Sequence, residues 1–294
     1  MSEEQQPHPK EAGPQPPFRQ PQQEYPGSEA DMDPRPDFGE DSYEGRGLLK
    51  DRAAIITGGD SGIGRAVATA FAREGADIVI SYLDEDEDAE ETARVVRSEG
   101  RKAELVPGDI GSPEQCRAIV ERAITSFGRL DVLVNNAAFQ MSYDHITEIP
   151  PKEIDYAFRT NIVAMFWLCQ AAVPHLKPGS TIVNSASIQA YDPTPSLMHY
   201  AATKAAIVNF TKALAKQLID DGIRVNAVAP GPVWTPLIAS TFDEQKIKNF
   251  GQDDPMGRPA QPAELAPAYV FLAGDESRFV NGEVLGVTGG RPLP

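Results

Sequence analysis

From residue 48 onward, two patterns of apolar positions alternate along the chain. Short runs rich in β-branched and aliphatic residues occupy 53–57, 77–82, 102–106, 131–134, 181–184, 224–229 and 284–287. Between them, at 62–74, 86–99, 113–127, 153–176, 198–220 and 262–273, apolar residues recur every three or four positions. Runs that are apolar at every position describe strands covered on both faces, and the 3.6-residue period describes helices that cover them. Strands and helices taken in turn predict an α/β domain with a doubly wound parallel sheet. The segments 153–176 and 198–220 are apolar around more of their circumference than one face against a sheet requires. Part of that surface is expected to be buried elsewhere.

Residues 1–46 follow neither pattern. Nine prolines between Pro7 and Pro36 are interleaved with Gln, Glu and Asp. Proline fixes φ and removes a donor, and so few apolar residues cannot form a core. This segment is expected to be an extended leader, disordered in isolation, with Phe18, Tyr25, Phe38 and Tyr43 as its large apolar anchors. The domain proper is placed at 47–294.

Composition narrows the partners. Of the 294 residues, 27 are Lys or Arg and 43 are Asp or Glu, a formal net charge of −16. Such a surface repels phosphate backbones and anionic bilayers, which argues against nucleic-acid and membrane partners. The longest apolar stretch, 162–173, is interrupted by Gln170 and is too short to span a bilayer. The N-terminus has no basic and apolar targeting pattern. Cys116 and Cys169 lack metal-ligand spacing and read as buried thiols, and the four histidines are scattered, so no metal site is expected. A cytoplasmic location follows as an expectation.

Candidate chemistry lies at two places. The first strand runs into Thr57-Gly58-Gly59-Asp60-Ser61-Gly62-Ile63-Gly64, followed by a helix. Glycines there permit a tight turn and close backbone approach, and the helix N-terminus offers N–H groups and a positive dipole to a pyrophosphate. The second place is Tyr200 and Lys204, four residues apart on one helix face. A free phenol has a pKa of about 10, and a neighbouring ammonium is expected to lower it toward the range that acid–base catalysis needs. Taken alone, such a pair is more often a core-edge aromatic beside a solvated charge.

Jointly, these motifs resemble the short-chain dehydrogenase/reductase family over residues 48–290. The glycine spacing T-G-x-x-x-G-x-G is the family's. Asn135-Asn136-Ala137-Ala138 resembles its N-N-A-G, with Ala138 in place of Gly. Asn161 stands at the family's catalytic asparagine, Ser187 precedes Tyr200 by the usual interval, and Lys204 completes Y-x-x-x-K. Pro230-Gly231 and the ending at 284–290 also match, with Thr288 where Asp is common. The acidic Pro/Gln-rich leader and Ile188-Gln189-Ala190-Tyr191 look most like the general-stress, glucose/ribitol-dehydrogenase-like subgroup.

The resemblance implies a single Rossmann-type domain with seven strands in the order 3-2-1-4-5-6-7. It also implies an NAD(P)-dependent oxidoreductase acting on a CH–OH or carbonyl carbon of a small polar substrate (a polyol, sugar, ketone or aldehyde). Tyr200 would be the general acid/base, Ser187 would steady the reacting oxygen, Lys204 would hold the nicotinamide ribose, and Asn161 would hold a water leading to solvent. Gly58, Asp60, Ser61, Gly62, Ile63, Gly64, Tyr82, Leu83, Asp109, Ile110, Asn136, Ala137, Pro230, Gly231, Val233 and Thr235 would line the cofactor, with Tyr200 and Lys204. The acidic run after Leu83 disfavours a 2′-phosphate and points to NAD rather than NADP. Gln140, Gln189 and Trp234, with Ser187 and Tyr200, are the expected substrate contacts, with Phe139 and His199 as neighbours. The stretch 236–259 is expected to act as a lid. A dinucleotide-binding scaffold or stress protein that has lost catalysis is the competing reading, and the presence of all four catalytic-type residues argues against it. The apolar helices are expected to pair into a homotetramer, with the leader lying on a neighbouring subunit.

Overall fold

The structure, a computed structural model, describes residues 8–294. The first seven residues of the leader, Pro7 among them, lie outside the described residues. Seven parallel strands form one sheet in the order β3-β2-β1-β4-β5-β6-β7. They are β1 (Ala53–Thr57), β2 (Asp77–Tyr82), β3 (Ala103–Pro107), β4 (Val132–Asn135), β5 (Thr181–Ser185), β6 (Arg224–Pro230) and β7 (Val284–Val287). Side chains alternate across the sheet, so each strand feeds two cores. Ala54, Ile56, Ile78 and Ile80 face α1 (Gly62–Arg73), α2 (Asp86–Ser98) and the last helix. Ile55, Val79, Leu133 and Ile182 face the opposite layer, which includes α3 (Pro113–Phe127).

The expected helix 153–176 is not continuous. It begins as α4 (Pro151–Phe158), passes through a π-helical turn at Arg159–Val163, and continues as α5 (Ala164–Ala172). A short 3-10 turn containing Pro174 ends it. α6 (Met198–Leu218) is the long helix expected near 198–220. The stretch 236–259, read from sequence as a lid, carries α7 (Pro236–Thr241) and α8 (Glu244–Lys248). Helix α9 (Pro262–Ala273) completes the first layer against α1.

Residues 8–46 contain one 3-10 turn (Pro9–Glu11) and otherwise run across their own domain. This differs from the expectation that the leader lies on a neighbouring subunit. Phe18 stacks on Trp234 with ring centroids 4.1 Å apart. Met32 and Phe38 are buried, and Tyr43 donates its hydroxyl to Glu74. Fully burying one large apolar side chain stabilises by about 1.5–3 kcal/mol, so a few anchors suffice to hold a segment that has no core of its own.

The leader also contributes a charge. Glu29 is fully buried against Arg65 of α1, at 2.8 Å, and Arg65 reaches Asp88 at 2.9 Å and Glu91 at 2.8 Å. A guanidinium fork with five donors is suited to several carboxylates at once.

Candidate active site

The strand order reverses between β1 and β4, and the crevice outside the carboxyl ends of the strands there is where open α/β sheets bind ligands. A cavity of about 710 Å³ occupies it. The glycine turn after β1 forms one end. Gly62 has φ +51°, a conformation that strains any other residue. A Cβ on Gly64 would lie 1.7 Å from the Gly58 carbonyl oxygen, so only glycine lets α1 start this close to the turn. Asn136 ties the neighbouring loop to this turn, its amide donating to the carbonyls of Thr57 (3.1 Å) and Gly58 (3.2 Å). The Thr57 hydroxyl accepts from the backbone of Asn136 and Ala137.

Most of the expected cofactor residues share this cavity. Gly58, Asp60, Ser61, Gly62, Ile63, Tyr82, Leu83, Asp109, Ile110, Asn136, Ala137, Pro230, Gly231, Val233 and Thr235 line it. Gly64 does not; its place is the contact with Gly58. At the adenosine-side end, Tyr82 donates its hydroxyl to Asp86 at 2.6 Å. Glu85 also lines the wall, and burial pushes its carboxyl up to about 8. The Ser81 hydroxyl, buried at the end of β2, has no hydrogen-bond partner and lines the same wall. An extended, glycine-floored cleft with an unpartnered buried hydroxyl fits a dinucleotide. Ser81 was not among the expected site residues, because a serine at a strand end carries no signal in the sequence.

The other end holds Ser187, Tyr200 and Lys204, all on the cavity wall. Ser187 follows β5, and its hydroxyl accepts from the Gln189 backbone at 3.1 Å. Tyr200 and Lys204 project from the first turns of α6, with the ammonium 5.3 Å from the phenol ring centroid. Lys204 donates to the Ser185 carbonyl at 2.8 Å. The Ser185 hydroxyl bonds Asn136 at 3.1 Å and the Tyr269 hydroxyl at 2.7 Å, joining both ends of the site through α9. Ser185 and Tyr269 escaped the sequence reading because 84 residues separate them.

Electrostatics differ from expectation. Burial pushes the Tyr200 phenol up to about 12, with the Ser187 hydroxyl pulling it partly back, and burial lowers Lys204 to about 7. The expected lowering of the phenol by Lys204 is therefore not present in the protein alone. Desolvation disfavours both charged forms and outweighs a separation of more than 5 Å.

Asn161 is bound into the scaffold beside the site. It sits in the π-helical turn, fully buried and off the cavity wall. Its carboxamide accepts from Phe139 N at 2.7 Å and donates to Phe139 O at 2.8 Å and Thr203 Oγ1 at 3.0 Å. Those bonds commit the side chain to holding the loop after β4 against α6. Asn161 is a positioning residue here, its carboxamide engaged by Phe139 and Thr203.

The expected substrate wall is only partly assembled. Gln140 lines the cavity and donates to Thr241 at 2.9 Å. Gln189 lines it too, but both ends of its amide are engaged by Thr194. Trp234 is not on the wall. It is fully buried under the leader, stacked on Phe18 and donating to the Pro34 carbonyl at 2.7 Å. The leader supplies a better-matched apolar surface than a wet cavity would. Phe139 and His199 are likewise buried off the wall. The segment 236–254 closes one side of the cavity through residues such as Leu237, Phe242, Lys246 and Phe250. Among the described residues, no cluster of His, Cys, Asp and Glu could hold a metal ion, and no helix is long and apolar enough to cross a membrane.

Comparison with known proteins places this geometry. Residues 58–291 match a family described as enoyl-(acyl carrier protein) reductase. General stress protein 39 of Bacillus subtilis is 51% identical over 271 residues, covering 92% of this chain and 95% of that protein. Glucose and ribitol dehydrogenase of Daucus carota is 45% identical, covering 92% and 95%. Among solved structures, L-sorbose reductase from Gluconobacter frateurii, complexed with NADPH and L-sorbose, aligns with a TM-score of 0.78 at 34% identity, covering 83% of this chain and 98% of that one. A 3-ketoacyl-(acyl-carrier-protein) reductase from Brucella melitensis, complexed with NADH, aligns at 0.76 with 36% identity, covering 83% and 99%.

Proposed function

Since the chain belongs to the short-chain dehydrogenase/reductase family, we propose that it moves a hydride between NAD and the carbinol or carbonyl carbon of a small polyhydroxylated or carbonyl compound in the cytoplasm, working as a homotetramer. The observation that carries this reading is the convergence of Ser187, Tyr200 and Lys204 at one end of a cleft whose other end is the glycine turn. The nicotinamide group, when bound, supplies or accepts the hydride. Tyr200 gives its proton to the substrate oxygen in reduction and takes it back in oxidation. Ser187 donates a hydrogen bond to the same oxygen and holds it in place. Lys204, held by the Ser185 carbonyl, contacts the ribose and biases Tyr200 toward ionisation when charged.

The polar residues on the substrate side, Gln140, Gln245, Asn249 and Asp254, suit a hydroxylated compound more than a sterol. The names of the carrot and Gluconobacter proteins agree with that class. For the cofactor, the cations on the cavity wall are Lys204, Lys246 and Arg291. Lys246 bonds Ser142 and Arg291 pairs with Asp254, away from Leu83 and Glu85. A 2′-phosphate beside Leu83 would meet carboxylates without a guanidinium fork, which supports NAD although several structural neighbours carry NADP or NADPH.

Absorbance of the reduced cofactor, followed over a panel of polyols, sugars, ketones and aldehydes with both cofactors, tests the reading. Turnover should be found with NAD(H), and Tyr200→Phe should lose about 10²–10⁴-fold in kcat while still binding cofactor. Full activity in Tyr200→Phe would overturn the assignment, and higher kcat/KM with NADP(H) would overturn the cofactor choice.

A further inference from the structure

The leader does more than cover the domain. Residues 23–29 cross the mouth of the cleft and are fastened on both sides of it. On the α7 side, Gln23 N donates to the Ala239 carbonyl at 2.9 Å, and Ser240 Oγ shares its one proton between the Pro26 carbonyl at 3.0 Å and the Pro236 carbonyl at 2.9 Å. Gly27 takes φ +85° against this wall, where a Cβ would lie 3.0 Å from the Pro236 carbonyl oxygen. On the α1 side, Gly62 N donates to Glu29 Oε2 at 2.6 Å, Arg65 Nη1 meets Glu29 Oε1 at 2.8 Å, and Glu29 N donates to Asp88 Oδ2 at 2.9 Å. Between the two fastenings, Tyr25 and Pro26 form part of the cavity wall. The Tyr25 ring meets Phe139 edge-on at 5.2 Å.

The two sides joined in this way are α7, which follows β6, and the start of α1, which follows the glycine turn. A dinucleotide reaching from Ser187 to Leu83 must pass beneath the bridge that joins them. We propose that residues 23–29 are a strap over the dinucleotide site, that Tyr25 and Pro26 are its roof, and that the nicotinamide dinucleotide enters and leaves only when the strap lifts from α7. This rests on the dinucleotide reading of the cleft. The α7 side is the one that opens, because it is fastened by two neutral hydrogen bonds. The α1 side is fastened by a buried ion pair, whose rupture leaves charges uncompensated.

Stopped-flow fluorescence of NADH, mixed with the full-length chain and then displaced by excess NAD, reads both rates. Ser240→Ala weakens the latch and Tyr25→Ala thins the roof, and neither touches Arg65. In each variant the association and dissociation rate constants should rise together, by about tenfold, with a smaller change in Kd; a lost contact alone changes dissociation only. Unchanged rates in both folded variants, or a rise in dissociation alone, would overturn the strap. A wild-type chain that binds neither NADH nor NADPH would instead overturn the dinucleotide reading, and the strap with it.

Discussion

At the residue scale, Tyr200 and Lys204 face a common penalty. Both are buried, so the phenol stays protonated and the ammonium is held less firmly than in water. A protonated phenol is the form that reduces a carbonyl, and the phenolate is the form that accepts a proton in alcohol oxidation. Oxidation kcat/KM should therefore climb with pH across the neutral and alkaline range, while reduction stays level until Tyr200 begins to ionise. Burial lowers Lys204 to about 7, so its ammonium can favour phenolate only near and below neutral pH. The oxidation profiles of Lys204→Met and the wild type should therefore separate there and converge at alkaline pH; profiles that coincide throughout would mean that Lys204 does not tune the phenol. Linkage gives a second sign. The folded-state Lys204 value, about 7, lies below its ordinary 10.5. Between those pH values the unfolded chain binds more protons, and stability from this group rises with pH. The buried ammonium is then a cost at pH 6, where Lys204→Met should raise the melting midpoint.

At the element scale, α1 links the glycine turn to the leader. Its start is set by the contact between Gly64 and Gly58, and its second residue pair brings Arg65 under Glu29, Asp88 and Glu91. Removing one member of a buried ionic cluster costs more than the cluster's net worth, because the remaining charges stay buried without a partner. Arg65→Met should destabilise the protein by about 3–5 kcal/mol in urea unfolding. The effect should shrink when Glu29 is also replaced by Gln, since one uncompensated carboxylate is then gone. A loss in the double variant equal to the sum of the losses in Arg65→Met and Glu29→Gln would show that the two groups are not coupled. The helix carrying Asn161 shows how one element serves another. Its π turn directs the carboxamide to Phe139 and Thr203, and the loop after β4 takes its position from α4 and α5.

For the whole molecule, α5 and α6 leave an apolar face open to solvent. Phe166 is 48% exposed beside Phe210, their ring centroids 4.5 Å apart, and Ile162, Ala206, Ala213 and Leu214 continue the surface. Contiguous exposed apolar surface of this kind marks an association site, which the proposed pairing across two-fold axes would cover in a D2 arrangement. Sedimentation equilibrium should give four times the 31.8 kDa chain mass. Phe166→Glu should shift the population to smaller species, since it buries a charge where two copies meet. A monomeric wild-type chain would refute the tetramer.

The sequence by itself determined the parallel sheet, the glycine turn and the Ser187–Tyr200–Lys204 spacing. Each is legible along the chain: apolar runs in turn with helical segments, a backbone conformation that glycine alone tolerates, Tyr200 and Lys204 one helical turn apart, and Ser187 at the interval that the family resemblance implies. It also determined that the leader would lack a core. Only the tertiary structure decided where that leader went. Glu29 and Arg65 are 36 residues apart, and nothing in either neighbourhood announces the other. The same holds for Trp234, legible as a site aromatic until Phe18 claims it, and for Tyr269, which reaches Ser185 from a distant helix. The direction of the Tyr200 shift was likewise outside the sequence. Spacing fixes which charge is near, but desolvation depends on how many atoms from every part of the chain close over the group, and here burial outweighs the neighbour's charge.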